Sequence, residues 1–154
     1  MWHHAGVPDD FATRARPPIE QQLQPGETLL GIAAATWSKT FSAQLYAVGA
    51  TDRRLILQPV DRHIQPKGPA FAVAPDQVES AKIDGAGGGW LTAPASILDA
   101  AAITLELRIR SGDKMKLMMM NGGGGIMGSL GGGDSQRQGV LGVAEFVRRY
   151  FPPR

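Results

Sequence analysis

A mainly β domain with one C-terminal α-helix is the fold class this sequence predicts, on three grounds. Short apolar runs broken by Gly, Pro and Asp follow one another from Glu27 to Asp84. Ile103 to Ile109 alternates apolar and polar residues without a fault, and Val140 to Phe151 repeats its apolar residues at helical spacing. Short strands so spaced read as antiparallel sheet, not as βαβ units.

Residues 1–25 read as an N-terminal arm outside the core, with one short helix from Ile19 to Leu23 that Pro25-Gly26 stops. Strands are then expected in "ETLLGIAAATW" (27–37), "AQLYAVGAT" (43–51), "RLILQPV" (54–60), "AFAVAP" (70–75) and "QVESAKID" (77–84). A two-residue turn, Asp52-Arg53, pairs Ala50 with Leu55 and Val48 with Leu57 on one buried face, and Asp52 or Thr51 can hydrogen-bond its backbone. Arg53 and Arg54 then emerge as solvated turn ends, the reading favoured over a ligand role.

Residues 85–102 form an insertion. In the next hairpin Ile103, Leu105, Leu107 and Ile109 must share a face with Met115, Leu117 and Met119. A three-residue loop, Ser111-Gly112-Asp113, satisfies that parity and sets Ile109 opposite Met115, Leu107 opposite Leu117 and Leu105 opposite Met119. After a glycine-rich loop at 121–133, Ser135 and Gln138 stand at capping-box spacing and Asp134 suits the positive end of a helix dipole. Val140, Val143, Ala144, Val147 and Phe151 make one helix face, and Pro152-Pro153 ends it. Gly139 and Gly142 each cost about 1 kcal/mol in a helix relative to alanine, so this helix depends on packing against the sheet.

Composition narrows the function classes. The chain of 154 residues has no cysteine, which excludes thiolate chemistry, disulfides and cysteine-ligated zinc. Its N-terminus lacks the pattern of a secretory signal and no apolar run reaches the ~18 residues of a membrane span, so a cytoplasmic setting is expected, with any membrane contact peripheral. Eleven arginines and five lysines against fourteen acids give a net charge of only +2, so an anionic partner would have to be met by a local patch.

The pieces "PGETLLG", "ATDRRLIL", "VAPDQVESAKI", the charged hairpin at 103–120 and "VAEFVRRYF" occur in an order that resembles bacterial pleckstrin-homology-like (PH-like) domains, over about residues 26–151. The resemblance implies a seven-stranded, partly open antiparallel barrel capped by one helix, a non-catalytic module, and a capacity for self-assembly known in some members.

Candidate chemistry is sparse. Gly123, Gly125 and Gly128 match a dinucleotide-binding spacing only because polyglycine matches any such pattern, and no second parallel strand can follow. Asp61 and His63 are close in sequence but have no nucleophile nearby, and a solvated loop is the default reading. No cofactor and no metal are expected. The sharpest signal is the outer face of the 103–120 hairpin, where the expected register sets Arg108 opposite Lys116 and Arg110 opposite Lys114. Like charges so placed destabilise a sheet by up to ~1 kcal/mol per pair. Either Glu106, Asp113 or Glu79 offsets this diagonally, the favoured reading, or the four residues face an anionic lipid surface or an acidic protein partner. Trp90, Leu91, Ile126, Met127 and Leu130, with outward Met118 and Met120, are the expected contacts of a homo-oligomer. The function expected is a non-catalytic binding or assembly module. The alternatives are a small enzyme with its site in the glycine-rich loops, or single-stranded nucleic-acid binding, against which stands the absence of aromatic residues in the basic hairpin.

Overall fold

The computed structural model describes residues 11–38, 42–85, 102–120 and 133–152. The elements in chain order are α1 (Phe11–Glu20), β1 (Leu29–Ser38), β2 (Ala43–Thr51), β3 (Leu55–Val60), β4 (Phe71–Val73), a single 3-10 turn (Pro75–Gln77), β5 (Val78–Gly85), β6 (Ala102–Ile109), β7 (Lys114–Met120) and α2 (Gly133–Tyr150). The seven strands form one antiparallel sheet in the order β4-β3-β2-β1-β7-β6-β5. It curls without closing, with β4 and β5 as its edges, and α2 caps it: the PH-like barrel architecture.

β1 explains both the curl and the cap. It pairs with β2 along its length but with β7 only at Thr36↔Met118 and Trp37↔Leu117. The remaining free side of β1 is taken by α2. The buried side-chain amide of Gln136 donates from Nε2 to the Ala34 carbonyl (3.0 Å) and accepts the Ala34 N–H at Oε1 (2.7 Å), doing for this residue what a neighbouring strand would have done. One turn on, Gly139 lies directly on the β1 backbone, where an added Cβ would sit 2.2 Å from the Ile32 carbonyl oxygen. The two helix glycines thus have a packing reason, since Gly142 likewise lies close to Ala50 and Leu30.

Two cores result. The inner one gathers Ala33, Ala35, Val48, Leu55, Leu57, Leu105, Leu107, Leu117 and Met119 beneath α2, which buries Val140, Val143, Ala144, Phe146 and Val147. Phe146 joins the expected helix face and Phe151 lies only partly buried beside it. The helix starts at Gly133, which puts Ser135 inside its first turn and not at a cap.

The second core lies on the outer face of β1, β2 and β3, where α1 buries Phe11, Ala15 and Ile19 against Ile32, Ala34, Ala47, Ile56, Val60 and Ile64. This corrects the expected helix at Ile19 to Leu23 and the expectation that nothing before residue 26 belongs to the core. Phe11, Ala15 and Ile19 fall at i, i+4 and i+8, one helix stripe that continues through Pro17 and Pro18. Gly49 makes room for it, since a Cβ there would meet Ile19 Cγ2 at 2.7 Å. Buried on both faces, β1 is apolar almost throughout.

The β2–β3 pairing is as expected, Ala50↔Leu55 and Val48↔Leu57. The β6–β7 hairpin keeps the expected face and loop length but differs in register. Its pairs are Leu107↔Met115, Leu105↔Leu117, Glu106↔Lys116 and Arg108↔Lys114. The three-residue loop is Arg110-Ser111-Gly112, closed by the Ile109 N–H to Asp113 carbonyl bond (2.8 Å). Its last position takes φ +107, which suits Gly112 and no neighbour of it. Starting the loop one residue earlier moves every partner by two.

Candidate anion-binding face

The arginines of the β2–β3 turn have separate fates. Arg53 is a turn end, its side chain 47% exposed and 3.9 Å from Asp52. Arg54 is not solvated: its side chain is 15% exposed and forms a two-point pair with Glu27, Nε to Oε2 at 2.9 Å and Nη2 to Oε1 at 3.0 Å. Nη2 also donates to the Gln22 carbonyl. Thr51 Oγ1 donates to Glu27 Oε2 (2.6 Å) and accepts the N–H groups of Arg53 and Arg54. The Glu27 side chain has no exposed surface, and the Arg54 guanidinium, aided by Thr51 and the Gln24 N–H, overrides burial and holds its carboxyl down at about 2. The Glu27 carboxylate is spent on Arg54, Thr51 and the Gln24 N–H, so the cluster staples β1's entry to the turn.

Asp61 and His63 do not form an acid–base pair. Asp61 Oδ1 accepts the backbone N–H groups of His63 (2.8 Å) and Gln65 (3.0 Å), and these bonds, the Gln65 one foremost, hold its carboxyl below the ordinary range. The tight loop turns Ile64 inward at φ +64, strained for a β-branched residue and compensated by burial in the outer core. Arg14 of α1 donates to the His63 carbonyl at 2.8 Å. The loop is a clasp for α1. Among the described residues no group of His, Asp and Glu is arranged to hold a metal ion.

The basic hairpin gathers several cations on one face. On the outer face of β5, β6 and β7 the register makes three rows across the strands: Ser80, Arg108, Lys114; then Lys82, Glu106, Lys116; then Asp84, Thr104, Met118. Arg108 faces Lys114 and not Lys116, and Lys116 faces Glu106; the expected opposition of Arg110 and Lys114 does not occur. Arg110 lies in the loop, where its Nε donates to the Asp76 carbonyl at 2.9 Å. Glu106 does offset the repulsion diagonally, with Oε1 3.8 Å from Lys114 Nζ and Oε2 3.7 Å from Lys82 Nζ. One carboxylate is thereby shared between two lysines. Arg108 and Lys116, both exposed, make no ion pair among the described residues. Lys82 also belongs to this face, because β5 runs beside β6. Its outward parity in "VESAKID" was visible, but its neighbour was not. A shallow depression of about 350 Å3 lies between Ser80, Lys82, Glu106, Arg108 and Lys114. Beside it Met118 is 51% exposed, a large apolar side chain in a polar neighbourhood. Trp90, Leu91, Ile126, Met127 and Leu130, the expected oligomer contacts, lie outside the described residues.

No protein-family model matches this chain, and no curated protein does. Among solved structures it is similar to the hSac2 domain from the human phosphoinositide phosphatase Sac2, at 10% identity and a TM-score of 0.49, over 88% of this chain and 77% of that one. It is also similar to the C-terminal domain of an unknown protein from Leishmania infantum, at 14% identity and a TM-score of 0.42, over 68% of this chain and 80% of that one. No helix among the described residues is long and apolar enough to cross a membrane.

Proposed function

We propose that this chain is a non-catalytic module of the bacterial PH-like kind that self-associates and lays the outer face of β5–β7 on an anionic lipid surface, as a cytoplasmic protein held peripherally. One observation carries the lipid reading: Arg108, Lys114, Lys116 and Lys82 crowd one sheet face, where Glu106 pairs with Lys114 and Lys82, Asp84 lies 4.0 Å from Lys82, and Arg108 and Lys116 make no ion pair among the described residues. Such crowding is tolerated where an outside anion completes the neutralisation. Met118 at the margin of the cations suits the boundary between headgroups and acyl chains better than it suits an acidic protein. The non-catalytic reading is supported by the internal use of Arg54, paired with Glu27, and of Asp61, bonded to its own loop.

Arg108→Ala with Lys116→Ala removes the two cations that lack an ion pair, so the melting temperature should barely move. Attraction to acidic headgroups is worth about 1 kcal/mol per basic residue, so partition onto phosphatidylserine vesicles should fall roughly thirty-fold. Binding of wild type and double mutant to an equal degree would sink this reading. Loss of binding to an acidic protein column, with vesicles ignored by the wild type at low salt, would transfer the face to a protein partner.

A further inference from the structure

The two edges of the sheet are not equivalent. β4 has only three residues and is bracketed by Pro69 and Pro75, which cannot donate to a neighbouring strand. β5 is the open edge. It runs for eight residues without proline and is regular from Ser80 onward, after the bulge between Val78 and Ser80. Over Ser80 to Gly85, β6 is the only strand it pairs with, and no other backbone hydrogen bond reaches it among the described residues. Its side chains nonetheless belong to the core, since Ala81 and Ile83 are buried. An ordered edge with unpaired N–H and C=O groups is a template for another strand.

The charges on β5 select which strand fits. Lys82 and Asp84 flank Ile83 and both point to the outer face, in the rows of Glu106 and Thr104. When two copies of β5 pair antiparallel about a two-fold axis at Ile83, Lys82 of each copy stands opposite Asp84 of the other and Ile83 meets Ile83. Shifting the axis by one residue, to Lys82, sets lysine against lysine. Deepening the self-association proposed above, we infer that the β5 edge is a self-complementary interface that joins two copies into one continuous sheet, with Lys82–Asp84 pairs between copies fixing its register. Both outer faces then lie on the same side. The cations of two copies form one surface, and a face too weak alone gains from bivalent attachment.

The test is the mass of the full chain by light scattering and sedimentation velocity over a wide concentration range. The wild type should exceed the 16.4 kDa monomer. Asp84→Lys sets lysine against lysine across the axis and should weaken association at least ten-fold, while a thermal melt at low concentration checks that the fold survives. The swap Lys82→Asp with Asp84→Lys restores opposite charges between copies and should restore association, although within one copy it removes the Lys82–Glu106 pair. A wild type that stays at monomer mass at every concentration overturns self-association altogether. A self-associated wild type indifferent to Asp84→Lys, or a swap that fails to rescue, overturns this edge alone and leaves self-association to another surface.

Discussion

Glu27 decides more of the β2–β3 end than any other single side chain. Replacing it with glutamine keeps the shape but leaves the Arg54 guanidinium, on a side chain only 15% exposed, without its counter-charge. A charge-assisted hydrogen bond of this kind contributes about 2 kcal/mol, so Glu27→Gln should lower stability by about that much in urea melts. The pH dependence has a definite sign. The carboxyl is held at about 2 in the fold against 4.5 ordinarily, so its stabilisation is complete above about 4.5 and is lost as the pH falls toward 2. Wild type should therefore lose stability across that window, and the glutamine variant should show a shallower loss there. None of this could be read locally. The spacing of Thr51 and the arginines gave the turn and the pairing after it, but the partner of Arg54 lies 27 residues back, beyond the reach of any turn rule.

At the level of elements, α2 depends on a contact that inverts helix propensity. In an exposed helix Gly→Ala adds about 1 kcal/mol of stability. At Gly139 the new Cβ would collide with the Ile32 carbonyl oxygen at 2.2 Å, a backbone atom that cannot swing aside, so Gly139→Ala should destabilise the domain by about 3 kcal/mol or more as α2 is pushed off β1. A rise in melting temperature for this variant would contradict the described seat of the helix. Val147→Asp should be equally severe, since Val147 is buried in the inner core, whereas Arg149→Asp on the exposed face should change little. The apolar stripe of α2 was legible because helical periodicity survives the glycines. The stripe of α1, Phe11, Ala15 and Ile19, is equally regular, but it runs through Pro17-Pro18, a pair disfavoured inside a helix. The hairpin shows what patterning determines and what it does not: alternation settles which face of β6 and β7 is buried, while Gly112, by taking the left-handed loop position, settles which residues are neighbours.

For the molecule as a whole, the fold class was open to sequence reasoning because it needs only strand count, antiparallel order and a terminal helix. The candidate face was half open. Its cations were visible as an alternating set on one hairpin, but Lys82 entered only when β5 came to lie against β6, and Glu106 proved to balance two lysines at once. The central claim is that this face, on β5–β7, is where the protein meets an anionic surface. The direct measurement is lysine acetylation footprinting by mass spectrometry, on the wild-type chain with phosphatidylserine vesicles and with neutral phosphatidylcholine vesicles. Lys82, Lys114 and Lys116 should be protected on the acidic vesicles alone, with protection fading as salt rises because exposed charges are screened over ~8 Å at physiological ionic strength. Lys67, exposed in the β3–β4 connection, should be modified equally in both. Protection of Lys67 with the other three left reactive, or no protection of any lysine, would contradict the account.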